Sequence, residues 1–233
     1  MVEYGLRDSA GAGRGGLWSK RVVFITFEGG EGSGKTVQAR RLGRKLSRME
    51  IPSLLLHEPG GTKLGDKIAR LLQWKAPENT SSVAELFLFN ASRAQLVTRV
   101  ILPAIEGGAV VVCDRFSDST IAYQGHGRGL DVEIVRQVNI AATGSLTPDL
   151  TILLDLPVEI AMARQLGNMP DRFERAEVAF HQRVRAGYWQ MAAAEPSRWL
   201  VIDGRQSRGL VARAVWVRVS RLLGAAGIRS GCD

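Results

Sequence analysis

The sequence predicts an α/β fold, a doubly wound, five-stranded parallel sheet flanked by helices. Two observations carry that expectation. Short runs rich in β-branched residues alternate with longer stretches of helical periodicity along most of the 233 residues, which is the pattern of crossover units building a parallel sheet. The short runs are also nearly continuous in apolar character, as strands covered on both faces must be. In chain order they are VVFITF at 22–27, SLLLH at 53–57, VVVC at 110–113, LTILLDL at 150–156 and WLVID at 199–203. Helical patterns fall near 35–49, 64–73, 81–105, 131–143, 157–165, 173–194 and 207–224.

No internal repeat and no dividing linker interrupts this alternation. Residues 21–226 are therefore expected to form a single domain, between a frayed Gly- and Ala-containing N-terminal tail at 1–20 and a short C-terminal tail at 227–233. Apolar residues at 45% and charged residues at 23% are ordinary for a soluble domain. The net charge of +8 favours anionic partners. A phosphate-handling enzyme needs that sign of potential as much as a nucleic-acid binder does, and no nucleic-acid partner is expected. The first twenty residues lack the apolar stretch of a secretory signal, and no apolar run approaches a membrane span. Cys113 and Cys232 offer neither a disulfide framework nor metal-ligand spacing, so a cytoplasmic location is expected.

Function enters with FEGGEGSGKT at 27–36. Gly29, Gly34, Lys35 and Thr36 match G-x-x-x-x-G-K-[ST], directly after the first strand and directly before the helical TVQARRLGRKL. Glycines let successive backbone N–H groups turn inward on a phosphate, and the following helix N-terminus adds its partial positive charge. Gly29, Gly30, Glu31, Gly32, Ser33 and Gly34 would then wrap the phosphates of ATP. Lys35 would reach the β- and γ-phosphates, and the Thr36 hydroxyl would hold Mg²⁺. A plain glycine turn between strand and helix is the alternative, and the complete motif in this context argues against it. The expected fold is that of a P-loop NTPase. Ligands in such sheets bind outside the carboxyl ends of the strands. EGGEGSGKT, EPGGT and DRFSDST follow the first three strands, so all three should meet on one rim.

HEPGGTKLGDKIARLL (57–72), LFLFNASRAQL (86–96), DRFSDSTIAYQGHGRGL (114–130) and TPDLTILLDLPVEIAMAR (147–164) together resemble the thymidylate kinase family. The match runs in register from Val22 to about Asp203, and DRFERAEVAFHQRVRAGY (171–188) continues it. DRFSDSTIAYQG is its most specific element. The resemblance implies a kinase that moves a phosphoryl group from ATP to dTMP with Mg²⁺, supplying dTDP for dTTP synthesis, with a short lid and a homodimeric assembly. It implies that Arg115 clamps the acceptor phosphate, a task suited to a planar guanidinium, and that Asp114 acts on Mg²⁺ through water. Phe89 would stack on thymine and Arg93 would bond its edge; their spacing of four puts both on one helix face. Tyr123 would lie against the sugar and disfavour a 2′-OH, and Thr120 and Gln124 would contact the base. Ser119 belongs to the same acceptor set, and Glu31 would sit near the acceptor's sugar and phosphate.

The chain departs from the family pattern in three places. His57 stands where the family writes an arginine before Glu-Pro-Gly-Gly-Thr. Ala69 replaces the arginine that follows GDKI, and Arg70, one place on, is turned about 100 degrees around the helix. Gly32 brings no arginine into the P-loop, and the lid stretch QLGNMP at 165–170 has no basic residue. Phosphoryl transfer depends on neutralising charge at the moving group, so Arg164 or Arg172 is expected to supply it. Arg172 is preferred because it borders the lid, and Arg172→Ala is expected to lower kcat far more than binding. The expected catalytic set is Lys35, Arg115, Glu31 and Arg172. Two other readings remain open: a kinase of another nucleoside monophosphate, against which Phe89, Arg93 and Tyr123 argue, and a catalytically weak nucleotide-binding regulator.

Overall fold

A computed structural model describes residues 23–73, 80–165 and 177–228. The first strand, β1, spans Phe24–Glu28 and is buried along its whole length. It leads through a glycine loop into α1, Lys35–Arg48. Ala39, Leu42 and Leu46 of α1 recur every three or four residues and face the sheet, leaving its arginines in water. Next come β2 (Ser53–His57), α2 (Lys63–Gln73) and α3 (Ser82–Leu96). α3 is capped by the Ser81 side chain, which accepts from the Ala84 N–H.

The stretch expected as one helix over 81–105 is instead α3, a π-helical turn at Val97–Ile101 and the short α4 at Leu102–Glu106. Pro103 explains the interruption: it has no N–H to donate one turn back, and the wider turn absorbs the defect. β3 (Val110–Asp114) follows, again wholly buried. Then come α5 at Ser117–Thr120 and a second π-helical turn at Ile121–Gly127, neither expected from the sequence. That segment has no amphipathic repeat; packing against a later helix holds it. A Cβ on Gly127 would lie 2.6 Å from the Phe180 ring, and one on Gly187 would lie 2.5 Å from the His126 ring. Two glycines, one on each side, thus permit the close approach.

The chain continues through α6 (Val132–Thr143), β4 (Leu150–Asp155), α7 (Val158–Gln165), α8 (Val178–Ala194), β5 (Trp199–Asp203) and α9 (Arg208–Ala225). The five strands are parallel in the order β2-β3-β1-β4-β5. On one side of the sheet the core joins α1 and α9, with Leu42, Leu46, Val215 and Val219 buried together. A second cluster contains Phe180, Val184, Tyr188 and Trp199, and a third contains Phe24, Leu96, Ile101 and Phe116.

From β1 the chain moves to β2 and β3 on one side, then crosses to β4 and β5 on the other. That reversal opens a crevice at the carboxyl end of β1 beside β3. Register brings Phe27 and His57 level with Asp114. The three polar stretches do meet on one rim: the Glu58 N–H donates to the Asp114 carbonyl, and the Arg115 N–H to the Phe27 carbonyl, each at 3.0 Å.

Candidate active site

The loop between β1 and α1 owes its path to left-handed glycines. Gly29, Gly32 and Gly34 have φ of 135°, 68° and 93°. At Gly29 a Cβ would come within 2.5 Å of the Leu154 carbonyl oxygen. The loop therefore rests on the end of β4, with no room for a larger residue. Lys35 is buried and its Nζ donates to the Gly30 carbonyl at 2.7 Å and reaches Ser33 Oγ at 3.4 Å. Burial, then the neighbouring Arg115 charge, lowers the Lys35 ammonium to about 8. The loop holds its cation internally, ready to be redirected to a stronger anion. Thr36 Oγ1 donates to Asp114 Oδ2, which brings two hard oxygen ligands together at the rim. That donor chemistry fits Mg²⁺. Among the described residues no group of three or more His, Cys, Asp or Glu side chains could hold a metal, so an ion here would draw its remaining ligands from phosphate and water.

All eight residues expected to meet the acceptor line a single cavity of about 530 Å³, open to solvent on one side. Arg93 lies in its wall, 1% exposed. Its Nε donates to Glu58 Oε2 at 2.9 Å, Nη1 to Asn139 Oδ1 at 2.9 Å and Asn90 Oδ1 at 3.2 Å, and Nη2 to the Phe116 carbonyl at 3.2 Å. Phe89, one turn earlier on α3, is half-buried beside it. Gln124 Nε2 donates to the buried Glu85 carboxylate at 2.7 Å, which orients its amide. Two buried oxygens in the lining, Thr120 Oγ1 and Glu58 Oε1, have no partner among the described residues. Buried polar atoms are normally satisfied, so this cavity is built for a polar guest.

Arg115 joins the two halves of the site. It has φ of 72°, in the left-handed region that a non-glycine residue occupies only when its surroundings impose it. Nη1 donates to the Gly29 carbonyl at 3.2 Å and to Ser119 Oγ at 3.1 Å; Nη2 donates to Glu31 Oε1 at 2.7 Å and Tyr123 OH at 3.2 Å. Tyr123 in turn donates to the second Glu31 oxygen. Burial pushes the Glu31 carboxyl upward, but Arg115 and Lys35 outweigh it and hold the group below its ordinary value. Glu31 is therefore an anion facing that cavity. Glu28 is the opposite case: burial first, then Asp118, pushes it up to about 7. It lies wholly buried and accepts from the Phe116 N–H, Ser119 Oγ and Tyr188 OH.

His57, Ala69 and Arg70 line a larger groove of about 1750 Å³ that also holds Lys35, Thr36, Asp114 and Arg115. Arg70 is exposed, and its Nε donates to the Asp66 carbonyl at 3.3 Å. Arg164, at the end of α7, donates to the carbonyls of Gly32 at 3.4 Å and Gly204 at 3.0 Å. It borders a third cavity of about 1150 Å³ on the far side of the loop. Arg172 lies outside the described residues. Sequence reasoning missed Glu58, Asn139 and Tyr188. Glu58 had a signal, an acid next to Pro59 at a strand end. The other two lie within ordinary helical patterns, where nothing local marks them.

A P-loop opening a helix, with a second pocket across the same crevice and a shared arginine and glutamate between them, defines a phosphotransferase of the P-loop NTPase fold. The thymidylate kinase family model matches residues 27–215, and the chain belongs to that family. It is 51% identical over 201 residues to a thymidylate kinase of Dehalococcoides mccartyi, covering 86% of this chain and 97% of that protein. A thymidylate kinase of Citrifermentans bemidjiense is 45% identical over 222 residues, 90% of this chain and 99% of the relative. The crystal structure of thymidylate kinase from Ehrlichia chaffeensis superposes with a TM-score of 0.69 at 34% identity, covering 86% and 98% of the two chains.

Proposed function

We propose that this enzyme transfers the γ-phosphoryl group of ATP to dTMP, giving dTDP and ADP. The observation that carries the reading is the acceptor cavity: eight residues scattered from Glu31 to Gln124 converge on it, and two buried oxygens in its wall lack partners among the described residues. The donor phosphates would lie on the N–H groups from Gly29 to Gly34, and Lys35 would leave the Gly30 carbonyl for them. Arg115 would clamp the acceptor phosphate, while Glu31 holds the opposite edge of its guanidinium. Phe89 would stack on the thymine and Arg93 would bond its edge. Tyr123 would crowd a ribose hydroxyl. Thr120 and Gln124 would meet the base, with Ser119 beneath the phosphate.

Thr36 and Asp114 would hold Mg²⁺, which would supply charge neutralisation at the donor phosphates. The acceptor phosphate is already ionised near neutral pH, so no general base is needed; rate comes from alignment and preorganised charge. Arg172 is the proposed additional cation at the moving group. Arg164 is already committed to two carbonyls beside the loop. Residues 21–226 would act as one domain, cytoplasmic and homodimeric. Exposed apolar side chains on two helices, Phe87 on α3 and Ile134 on α6, suit an interface. Among the described residues no helix is long and apolar enough to cross a membrane.

The test is ADP release from ATP and Mg²⁺, expected to depend on dTMP, to be weaker with dUMP, and to be nearly absent with AMP, CMP or a Lys35→Met variant. Equal turnover with AMP would overturn the substrate assignment. Light scattering should give twice the 25.4 kDa chain mass.

A further inference from the structure

We infer that Tyr188, on α8, is a positioning residue for the Arg115 clamp, acting through a buried hydroxyl and carboxylate hub that it forms with Ser119 and Glu28. Tyr188 is 1% exposed. Its hydroxyl lies 2.9 Å from Glu28 Oε2, 2.9 Å from Ser119 Oγ and 3.4 Å from Arg115 Nη1. Ser119 Oγ donates to the same Glu28 oxygen at 2.6 Å and accepts from Arg115 Nη1 at 3.1 Å. The other Glu28 oxygen accepts from the Phe116 N–H at 2.8 Å, the peptide group that directly follows Arg115.

The hub therefore holds Arg115 twice. Through Phe116 it pins the backbone turn that keeps Arg115 at φ of 72°. Through the two hydroxyls it sets the depth of Nη1, while Glu31 and Tyr123 hold Nη2 from the opposite side. A guanidinium anchored along both edges presents a fixed face to a phosphate, and misplacing such a group by an ångström is costly in rate. Burial pushes the Tyr188 phenol well above its ordinary range, so the hydroxyl stays protonated and available to donate. The ring is separately secured, edge-on to Tyr123 and to Trp199 with centroids 6.4 Å away in each case. Tyr188 thus carries the placement of α8 into the acceptor clamp, 160 residues from its partner Glu28.

This inference rests on reading Arg115 as the acceptor clamp, and the experiment separates the two. Tyr188→Phe keeps the ring contacts and removes only the hydroxyl. It is expected to raise the KM for dTMP about tenfold, the effect of one lost hydrogen bond within a charged network. The KM for ATP should stay within about twofold, and the melting temperature within a few degrees. In an Arg115→Lys background, the same change should add almost nothing to the dTMP KM, because the two residues act as a unit. A merely structural tyrosine would lower the melting temperature and move both KM values together, and that result overturns the inference. So does a dTMP KM unchanged by Tyr188→Phe while Arg115→Lys raises it. If Arg115→Lys itself leaves the dTMP KM unchanged, the clamp reading fails instead and takes this inference with it. Should Tyr188→Phe not fold, Glu28→Gln carries the same expected split between the two substrates, and its absence is equally decisive.

Discussion

Replacing Arg93 with methionine keeps most of the apolar stem and removes a guanidinium that is almost wholly buried. Four hydrogen bonds go with it, to Glu58, Asn90, Asn139 and the Phe116 carbonyl. The largest consequence is the Glu58 carboxylate, whose side chain is 4% exposed. Breaking a buried ion pair by removing one partner costs about 3–5 kcal/mol, because the other charge is left uncompensated. That is a fifth or more of the stability of an ordinary domain of roughly 5–15 kcal/mol. The loss must also depend on pH. Burial already holds Glu58 above its ordinary value with Arg93 opposing the shift, so without Arg93 it rises further. A carboxyl whose folded value is raised favours the folded state below its unfolded value and loses that advantage as pH climbs through the folded value. The deficit of Arg93→Met should therefore grow from pH 5 to pH 8, on top of a pH-independent part from the bonds lost to Asn90, Asn139 and the Phe116 carbonyl. Urea unfolding across that range measures it, and Glu58→Gln in the same background should recover most of the loss at pH 8. A deficit below about 1 kcal/mol, or one flat in pH, would refute this account of the pair.

Lys35 should take up a proton when the donor binds: burial holds its ammonium at about 8, and phosphate charge will raise it. Titration calorimetry of an ATP analogue at pH 8, in buffers of different ionisation enthalpy, should read roughly half a proton per site. Lys35→Arg, always charged, should read none, and equal uptake in both proteins would count against the assignment. Glu28, raised from 4.5 to about 7, favours the folded state below pH 4.5 and withdraws that help as pH rises through 7. Glu28→Gln should flatten the decline in unfolding free energy between pH 5 and 8 by about 2.5 kcal/mol; an unchanged slope would contradict the shift. Gly29→Ala places a methyl 2.5 Å from the Leu154 carbonyl oxygen at φ of 135°, so it should destabilise by about 2–3 kcal/mol and weaken donor binding more than tenfold. Wild-type affinity in that variant would show that the loop does not need its contact with β4.

The parts of the molecule legible in the sequence are those whose cause is local. Each of the five strands was expected within two residues of its place, because an uninterrupted apolar run has one solution in a sheet covered on both faces. The P-loop was legible because glycines, lysine and threonine act within a few residues of one another. Residues 117–127 were not, since Ser117, Thr120 and Gly127 show no repeat; contacts with Phe180 and Val184 on α8 give the segment its shape. The helix expected over 81–105 is interrupted by a π turn at Val97–Ile101, just before Pro103, whose missing N–H was visible but whose remedy was not.

Within the site the same division holds. Arg93 and Phe89 could be paired on a helix face by spacing alone, yet Glu58, which holds Arg93 in place, is 35 residues away. Glu28 reads as a strand-end acid of no evident purpose until Tyr188 arrives from α8 to share it. What the sequence determined by itself was the fold class and the phosphate loop, since periodicity and motif spacing are properties of neighbours along the chain; the acceptor residues were named only through the resemblance to a family. What the tertiary structure decided was which side chain holds which: the raised Glu28, the anionic Glu31, the two-edged grip on Arg115. Those depend on burial and on charges brought within 3 Å from distant segments, and both exist only once the chain has folded.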